Sequence, residues 1–316
     1  MITRKTILIL GAGASKPYGF PLGGELTDIL IAQLVSHGGT SIHDDLLQHC
    51  EIAPEELTDF LRAFSRSGLS SIDSFLARRD EYSRLGKLAI AWALCSCESR
   101  DWITRRGNDD HWYSLLWDTL TADTHASGDF RRNQLRVITF NYDRSLEFFL
   151  NQAAKNTYRL TDSQAQEFAS TIGVLHVYGK LGELTFDGRA GTRIYDNTLS
   201  RAALNCAADG ILIVPEARDD AREFMLARTW CDWAEQICFL GFGFDPLNVR
   251  RLGLVDVLTQ KKEHRAAIPT VWASVFGKTA AEIDWIRDAI CAPEPSVFHH
   301  IQHQNVLAMR NTRVLL

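Results

Sequence analysis

Residues 7–21, Ile-Leu-Ile-Leu-Gly-Ala-Gly-Ala-Ser-Lys-Pro-Tyr-Gly-Phe-Pro, constrain this chain more than any other stretch. Four apolar residues, Ile7 to Leu10, run directly into Gly11-Ala12-Gly13-Ala14-Ser15. An unbroken apolar run predicts a strand buried on both faces, as in a parallel sheet. The glycines after it predict a tight turn whose amides approach a phosphate, where a Cβ would collide with the ligand. The pattern departs from the usual dinucleotide fingerprint. Lys16 stands where the third glycine would fall, and Pro17 follows it. The ribose-binding acid, expected about 20 residues beyond the turn, is missing from residues 31–36, which read Ile-Ala-Gln-Leu-Val-Ser. A nucleotide site is predicted, but not an ordinary dehydrogenase one.

Further strand-like runs fall at 135–140, 172–178, 210–214, 236–241 and 269–275, with helical patterns between them. Glu25–Val35 carries Leu26, Ile29, Leu30 and Leu34 on one helical face. Helices are also expected over 143–152, 219–234 and 246–259, whereas 154–170 and 183–209 read as loops or short helices. Alternating strands and helices predict an α/β fold with a Rossmann-like parallel sheet. The expected domain is single, with a core of about 1–36 and 130–290 and an all-helical insert over about 40–125. The insert should lie over the carboxyl ends of the strands, where ligands bind in such sheets. A last strand is placed at 313–316.

Three more motifs end strands. In Val137-Ile138-Thr139-Phe140-Asn141-Tyr142-Asp143, the Asn141 amide is suited to a ribose hydroxyl or a water. Asp143 suits either a ligand or the N-cap of the next helix. In Leu175-His176-Val177-Tyr178-Gly179, His176 and Tyr178 are two apart and are expected on one strand face. An imidazole there could take a ribose proton or be structural. In Leu240-Gly241-Phe242-Gly243-Phe244-Asp245-Pro246, a second glycine turn again enters a helix.

Composition removes several function classes. The 316 residues carry a net charge of −5, which gives no basic footprint for nucleic acid. With 46% hydrophobic and 23% charged residues, the chain reads as folded rather than disordered. No run approaches the roughly 18 apolar residues of a membrane span, and no signal peptide is read at the start. The seven cysteines include no Cys-x-x-Cys pair and read as reduced thiols of a cytoplasmic protein. Cys95 and Cys97 point apart on a helix, and His299, His300 and His303 lack partner ligands, so no metal is expected.

The ordered set of Gly-Ala-Gly-Ala-Ser…Gly-Phe-Pro, Thr-Phe-Asn-Tyr-Asp, His-Val-Tyr-Gly-Lys-Leu-Gly and Leu-Gly-Phe-Gly-Phe-Asp-Pro resembles the sirtuin superfamily. More specifically, it looks like the sirtuin-like domains of bacterial antiphage defence systems. The resemblance spans about 7–21 and 135–250, with a weaker match at Ser71–Leu76. It implies an NAD-binding core. Gly11, Ala12, Gly13 and Ser15 would form the phosphate loop, continued by Phe20 and Pro21. Asn141 and Asp143 would hold the nicotinamide ribose and carboxamide, and Gly241, Gly243 and Phe244 would form the second loop, around the adenosine half. Deacylating sirtuins carry a zinc ribbon of two Cys-x-x-Cys pairs, which this chain lacks. The family's catalytic His directly precedes a Gly, a place held here by Tyr178. His176 lies two residues earlier, about 6–7 Å along a strand. Either His176 substitutes, or Tyr178 bears the polar role, or the site binds without turnover.

The expected activity is that of an NAD⁺ glycohydrolase, with NAD⁺ as substrate and Asn141, His176, Asp143 and Tyr178 at the reacting ribose. The resemblance adds NAD⁺ depletion on phage infection, and restraint by homo-oligomerisation or by a separately encoded sensor or ATPase. The competing readings are a silent NAD⁺ or ADP-ribose-binding regulatory subunit and, third, a zinc-free deacylase.

Overall fold

The computed structural model describes residues 1–35, 42–69, 71–104, 111–124, 127–186, 191–213, 216 and 218–302. Its main sheet joins β1 (Thr6–Leu10), β2 (Leu135–Thr139), β3 (Gly173–His176), β6 (Gln236–Leu240), β7 (Thr270–Ser274) and β8 (Phe298–Ile301). A short separate pair, β4 (Glu183–Leu184) and β5 (Thr192–Arg193), sits between β3 and β6 in sequence. All main-sheet neighbours are parallel, and the spatial order is β3-β2-β1-β6-β7-β8. The fold is therefore α/β and Rossmann-like. The chain winds outward from β1 to β3, then crosses back to place β6 on the other side of β1. That reversal defines a switch point at the carboxyl ends of β1 and β6.

The central strands alternate into two cores, which is why β1 from Ile7 to Leu10 and β6 from Ile237 to Leu240 are unbroken apolar runs. Leu8, Leu10, Val137, Cys238 and Leu240 face one core. Ile7, Ile9, Ile138, Ile237, Phe239 and Val271 face the other. The first core takes the helices of the insert between β1 and β2. Among these, Ser83–Ser96 is buried at nearly every position from Leu85 to Cys95, as an all-round apolar helix must be. The second core takes the helices Arg222–Trp233, Pro246–Leu252, Leu254–Glu263 and Ala280–Cys291.

Several sequence expectations are corrected. Of the run at 210–214, the described residues 210–213 form no strand: Ile211 makes one antiparallel bridge with Gly179, and it and Ile213 are apolar because they pack into the first core. The helix expected over 246–259 is two, parted at Gly253, whose φ of +65° is left-handed. The helix expected to end at 152 runs from Ser145 to Tyr158, whereas the short helices expected within 154–170 and 183–209 are present as Asp162–Ala169, which starts in a Thr161/Gln164 capping box, and Arg201–Asp209. The sheet runs on to Ile301 in β8, beyond the core boundary expected near 290. The strand placed at 313–316 lies outside the described residues.

Candidate active site at the carboxyl edge of the sheet

The two glycine turns meet at the switch point, backbone against backbone. The Gly11 amide donates to the Leu240 carbonyl at 3.1 Å, and the Gly13 amide to the Gly241 carbonyl at 3.0 Å. Within the first turn the Ala14 amide donates to the Gly11 carbonyl at 2.9 Å. A Cβ on Gly11 would stand 2.6 Å from the Gly241 oxygen, and one on Gly241 would stand 2.1 Å from the Ala14 nitrogen. Gly241 also has φ +57°. These glycines serve the contact between the loops, and three amides expected to face a phosphate are already engaged. Gly243 differs, since a Cβ there would meet nothing within 4 Å. Phe20 and Phe244 are each 3% exposed and belong to the cores. Pro21 is half-buried.

Asn141 closes the site from β2. Its Nδ2 donates to the Gly11 carbonyl and to Ser15 Oγ, both at 3.0 Å. The insert separates β1 from β2, so the position just past the end of β2 is held by Asn141 rather than by any residue in 31–36. The insert also grips the first loop. Trp112 Nε1 donates to the Ala14 carbonyl at 2.8 Å, and the Tyr113 amide donates to Tyr18 Oη at 2.8 Å.

Asp143, left open between two roles by the sequence, is buried at the start of the helix Ser145–Tyr158. Its Oδ1 accepts from the Ser145 amide at 3.1 Å and from the Ser145 hydroxyl. Burial pushes its carboxyl above the usual range against these bonds and one from Ser15. The geometry is that of a helix-start acceptor.

His176 and Tyr178 do not share a face. The strand ends at His176, and a turn closed by the Gly179 amide on the His176 carbonyl at 3.3 Å redirects the chain. Tyr178 enters the second core, where its hydroxyl donates to Asn248 Oδ1 at 2.6 Å and accepts from Arg251 Nη1 at 2.9 Å. His176 stays beside the site. Its Nδ1 lies 2.9 Å from the Asn141 carbonyl, and its Nε2 lies 2.7 Å from Glu147 Oε1. A carbonyl only accepts, so Nδ1 donates, and one proton lies between Nε2 and the carboxylate. Both ring nitrogens are engaged, so neither keeps a lone pair free to accept from a further hydroxyl. Burial pushes the Glu147 carboxyl up, but the neighbouring His176, with Lys180, overcomes it and holds the group below the usual range.

Two features were not read from the sequence. Glu147 is one; its only signal was its place four residues after Asp143, on the first turn of a helix leaving the site. The other is a buried triad. Glu98 and Arg144, both fully buried, form a bidentate pair, and Arg193 Nη1 reaches Glu98 Oε2 at 2.7 Å. Arg144 Nη1 also donates to the Arg193 carbonyl at 2.8 Å. The triad ties the insert and β5 to the residue preceding the Ser145 helix. Beside it, a cavity of about 1090 Å³ runs along the β3 edge, with His176, Lys180, Arg193 and Cys206 in its walls. Among the described residues, no group of three His, Cys, Asp or Glu side chains could hold a metal. Burial pushes the Cys95 and Cys231 thiols up to about 12, as expected of inert thiols.

No family model matches the chain, and no curated protein matches it. Among solved structures it is similar to a crystal structure of Sir2 in complex with the inhibitor EX-527, 2′-O-acetyl-ADP-ribose and a deacetylated p53 peptide. Identity is 15%, over 98% of this chain and 93% of that one, with a TM-score of 0.36. So loose a likeness carries no argument, and the fold class stands on strand order and register. No helix among the described residues is long and apolar enough to cross a membrane.

Proposed function

We propose that this chain binds NAD⁺ across the β1/β6 switch point and hydrolyses the bond between nicotinamide and ribose. One observation carries the reading: two glycine turns dock at the point of sheet reversal, with Asn141 bridging from the end of β2. Cleavage of the C1′–N bond releases neutral nicotinamide and leaves the ribose oxocarbenium-like. Water then adds at C1′ and passes its proton to solvent, giving ADP-ribose. Because the proton departs after attack on a cationic carbon, a strong base is not required; a held ribose and a placed water are. With Nδ2 tied to the loop, Asn141 presents Oδ1 to that water or to a ribose hydroxyl. His176 fixes the Asn141 backbone, and Glu147 fixes His176.

The setting we propose with it is NAD⁺ depletion in bacterial antiphage defence, as an oligomer or with a separately encoded sensor or ATPase. A second reading, a silent NAD⁺ or ADP-ribose-binding subunit, is favoured by the engagement of both His176 nitrogens. Incubation with NAD⁺ and chromatographic detection of nicotinamide tests both. Release by the wild type, lost in Asn141→Ala and weakened in His176→Ala, supports hydrolysis. Unchanged release in both variants refutes the site, and ADP-ribose binding without release, alone or with a co-encoded protein, selects the silent reading.

A further inference from the structure

We infer that Lys16 is the charge that meets the pyrophosphate of the dinucleotide, with Glu25 holding its ammonium until a phosphate displaces it; this rests on the dinucleotide reading above. A pyrophosphate brings two negative charges, and the first loop is poorly supplied to meet them with backbone alone. The amides of Gly11, Gly13 and Ala14 are spent on the carbonyls of Leu240, Gly241 and Gly11. The helical run that follows is short, one α turn of Ala12–Ser15 passing into one 3₁₀ turn of Lys16–Tyr18, and sums a smaller dipole than the full helix after an ordinary glycine loop. A side-chain cation must supply what an ordinary glycine loop draws from its helix.

Lys16 is the cation that adjoins this loop in the chain. It follows Ser15 directly, at the position where the usual fingerprint has its third glycine, and it opens a single 3₁₀ turn that ends at Gly19. Its side chain is 50% exposed, and its ammonium pairs with Glu25 at the start of the helix Gly23–Val35. That pairing, followed by the Leu22 amide, holds the Glu25 carboxyl below its usual range. The Leu22 amide donates to the other Glu25 oxygen at 2.9 Å, so the carboxylate keeps a donor when the ammonium leaves. An exposed pair of this kind is weak and exchangeable. It therefore suits a cation held ready beside an anion site better than it suits a structural brace.

The test is calorimetric titration of the full chain with ADP-ribose, and with adenosine as the probe lacking phosphate. Lys16→Ala is expected to loosen ADP-ribose about 10- to 100-fold, the worth of a charge-assisted hydrogen bond, and to leave adenosine unchanged. Lys16→Arg should retain most of the affinity, and Glu25→Gln should bind ADP-ribose at least as tightly as the wild type. The wild-type affinity should also fall more steeply with added salt than that of Lys16→Ala. Equal ADP-ribose affinity in Lys16→Ala and wild type overturns the inference while leaving the dinucleotide reading intact. Equal loosening of adenosine overturns it too, by making Lys16 structural. A wild type that binds no ADP-ribose removes the dinucleotide reading and the inference together.

Discussion

Glu98 is the residue whose loss should be felt most widely. It is fully buried and accepts four N–H···O contacts: Arg144 Nε at 3.0 Å, Arg144 Nη2 at 2.9 and 2.7 Å, and Arg193 Nη1 at 2.7 Å. Glu98→Ala removes the carboxylate but leaves both guanidiniums in place, each less than 5% exposed. Breaking a buried ion pair from one side costs about 3–5 kcal/mol, because the remaining charge is left without compensation. Against a total stability of about 5–15 kcal/mol, that is a large fraction. It corresponds to a fall in Tm of roughly 5–15 °C for a chain of this size. Urea titration followed by tryptophan fluorescence measures it directly. Glu98→Gln keeps one acceptor oxygen and should lose less than the alanine variant. A Glu98→Ala midpoint within about 1 kcal/mol of wild type would falsify the assignment of this triad as the clamp between insert and sheet.

Gly241→Ala forces a Cβ to 2.1 Å from the Ala14 nitrogen at a left-handed φ, so it should cost more than about 2 kcal/mol and abolish ADP-ribose binding. Gly243→Ala, with open space around it, should stay within about 0.5 kcal/mol of wild type in the same melt. Tyr178→Phe should destabilise by about 1–2 kcal/mol through the lost hydrogen bonds to Arg251 Nη1 and Asn248 Oδ1, yet leave nicotinamide release per folded molecule unchanged; a selective loss of turnover would return Tyr178 to the reacting site. The Glu147 carboxyl is held below its ordinary value of 4.5, so its stabilising contribution is full above that pH and fades as pH falls through the lowered folded value. The acid limb of the urea midpoint, scanned downward from pH 6, should flatten in Glu147→Gln, and an unaltered limb would contradict the ion pair with His176.

The frame of the fold was legible because double burial leaves an unbroken apolar signature, as in Ile7–Leu10 and Ile237–Leu240, and because glycines punctuate the strand ends. The run at Ile211 carried the same apolar signature for a different reason, packing beneath the helices, and composition alone does not separate the two. The missing ribose acid was sought at a spacing that assumes β2 follows β1 closely. An insert defeats that arithmetic, and only the sheet register identifies Asn141 as the residue in that place. His176 and Tyr178 were paired by the period of a strand that in fact ends between them. Glu98, Arg144 and Arg193 meet from distant parts of the chain, and no local pattern announces a contact of that kind. Asp143 was read as either a ligand contact or an N-cap; the N-cap of the Ser145–Tyr158 helix is Arg144, and Asp143 instead accepts from the amide and hydroxyl of Ser145.

The docking of Gly11 and Gly13 onto Gly241 bears on how any guest is received. Loops that cover a ligand commonly swing on their own hinges, but these two are bolted to each other through main-chain atoms and to a central pair of strands behind. Neither can open without prying the middle of the sheet apart. Under the proposed dinucleotide reading the seat is stiff before the ligand arrives, and adaptation falls to side chains at its rim.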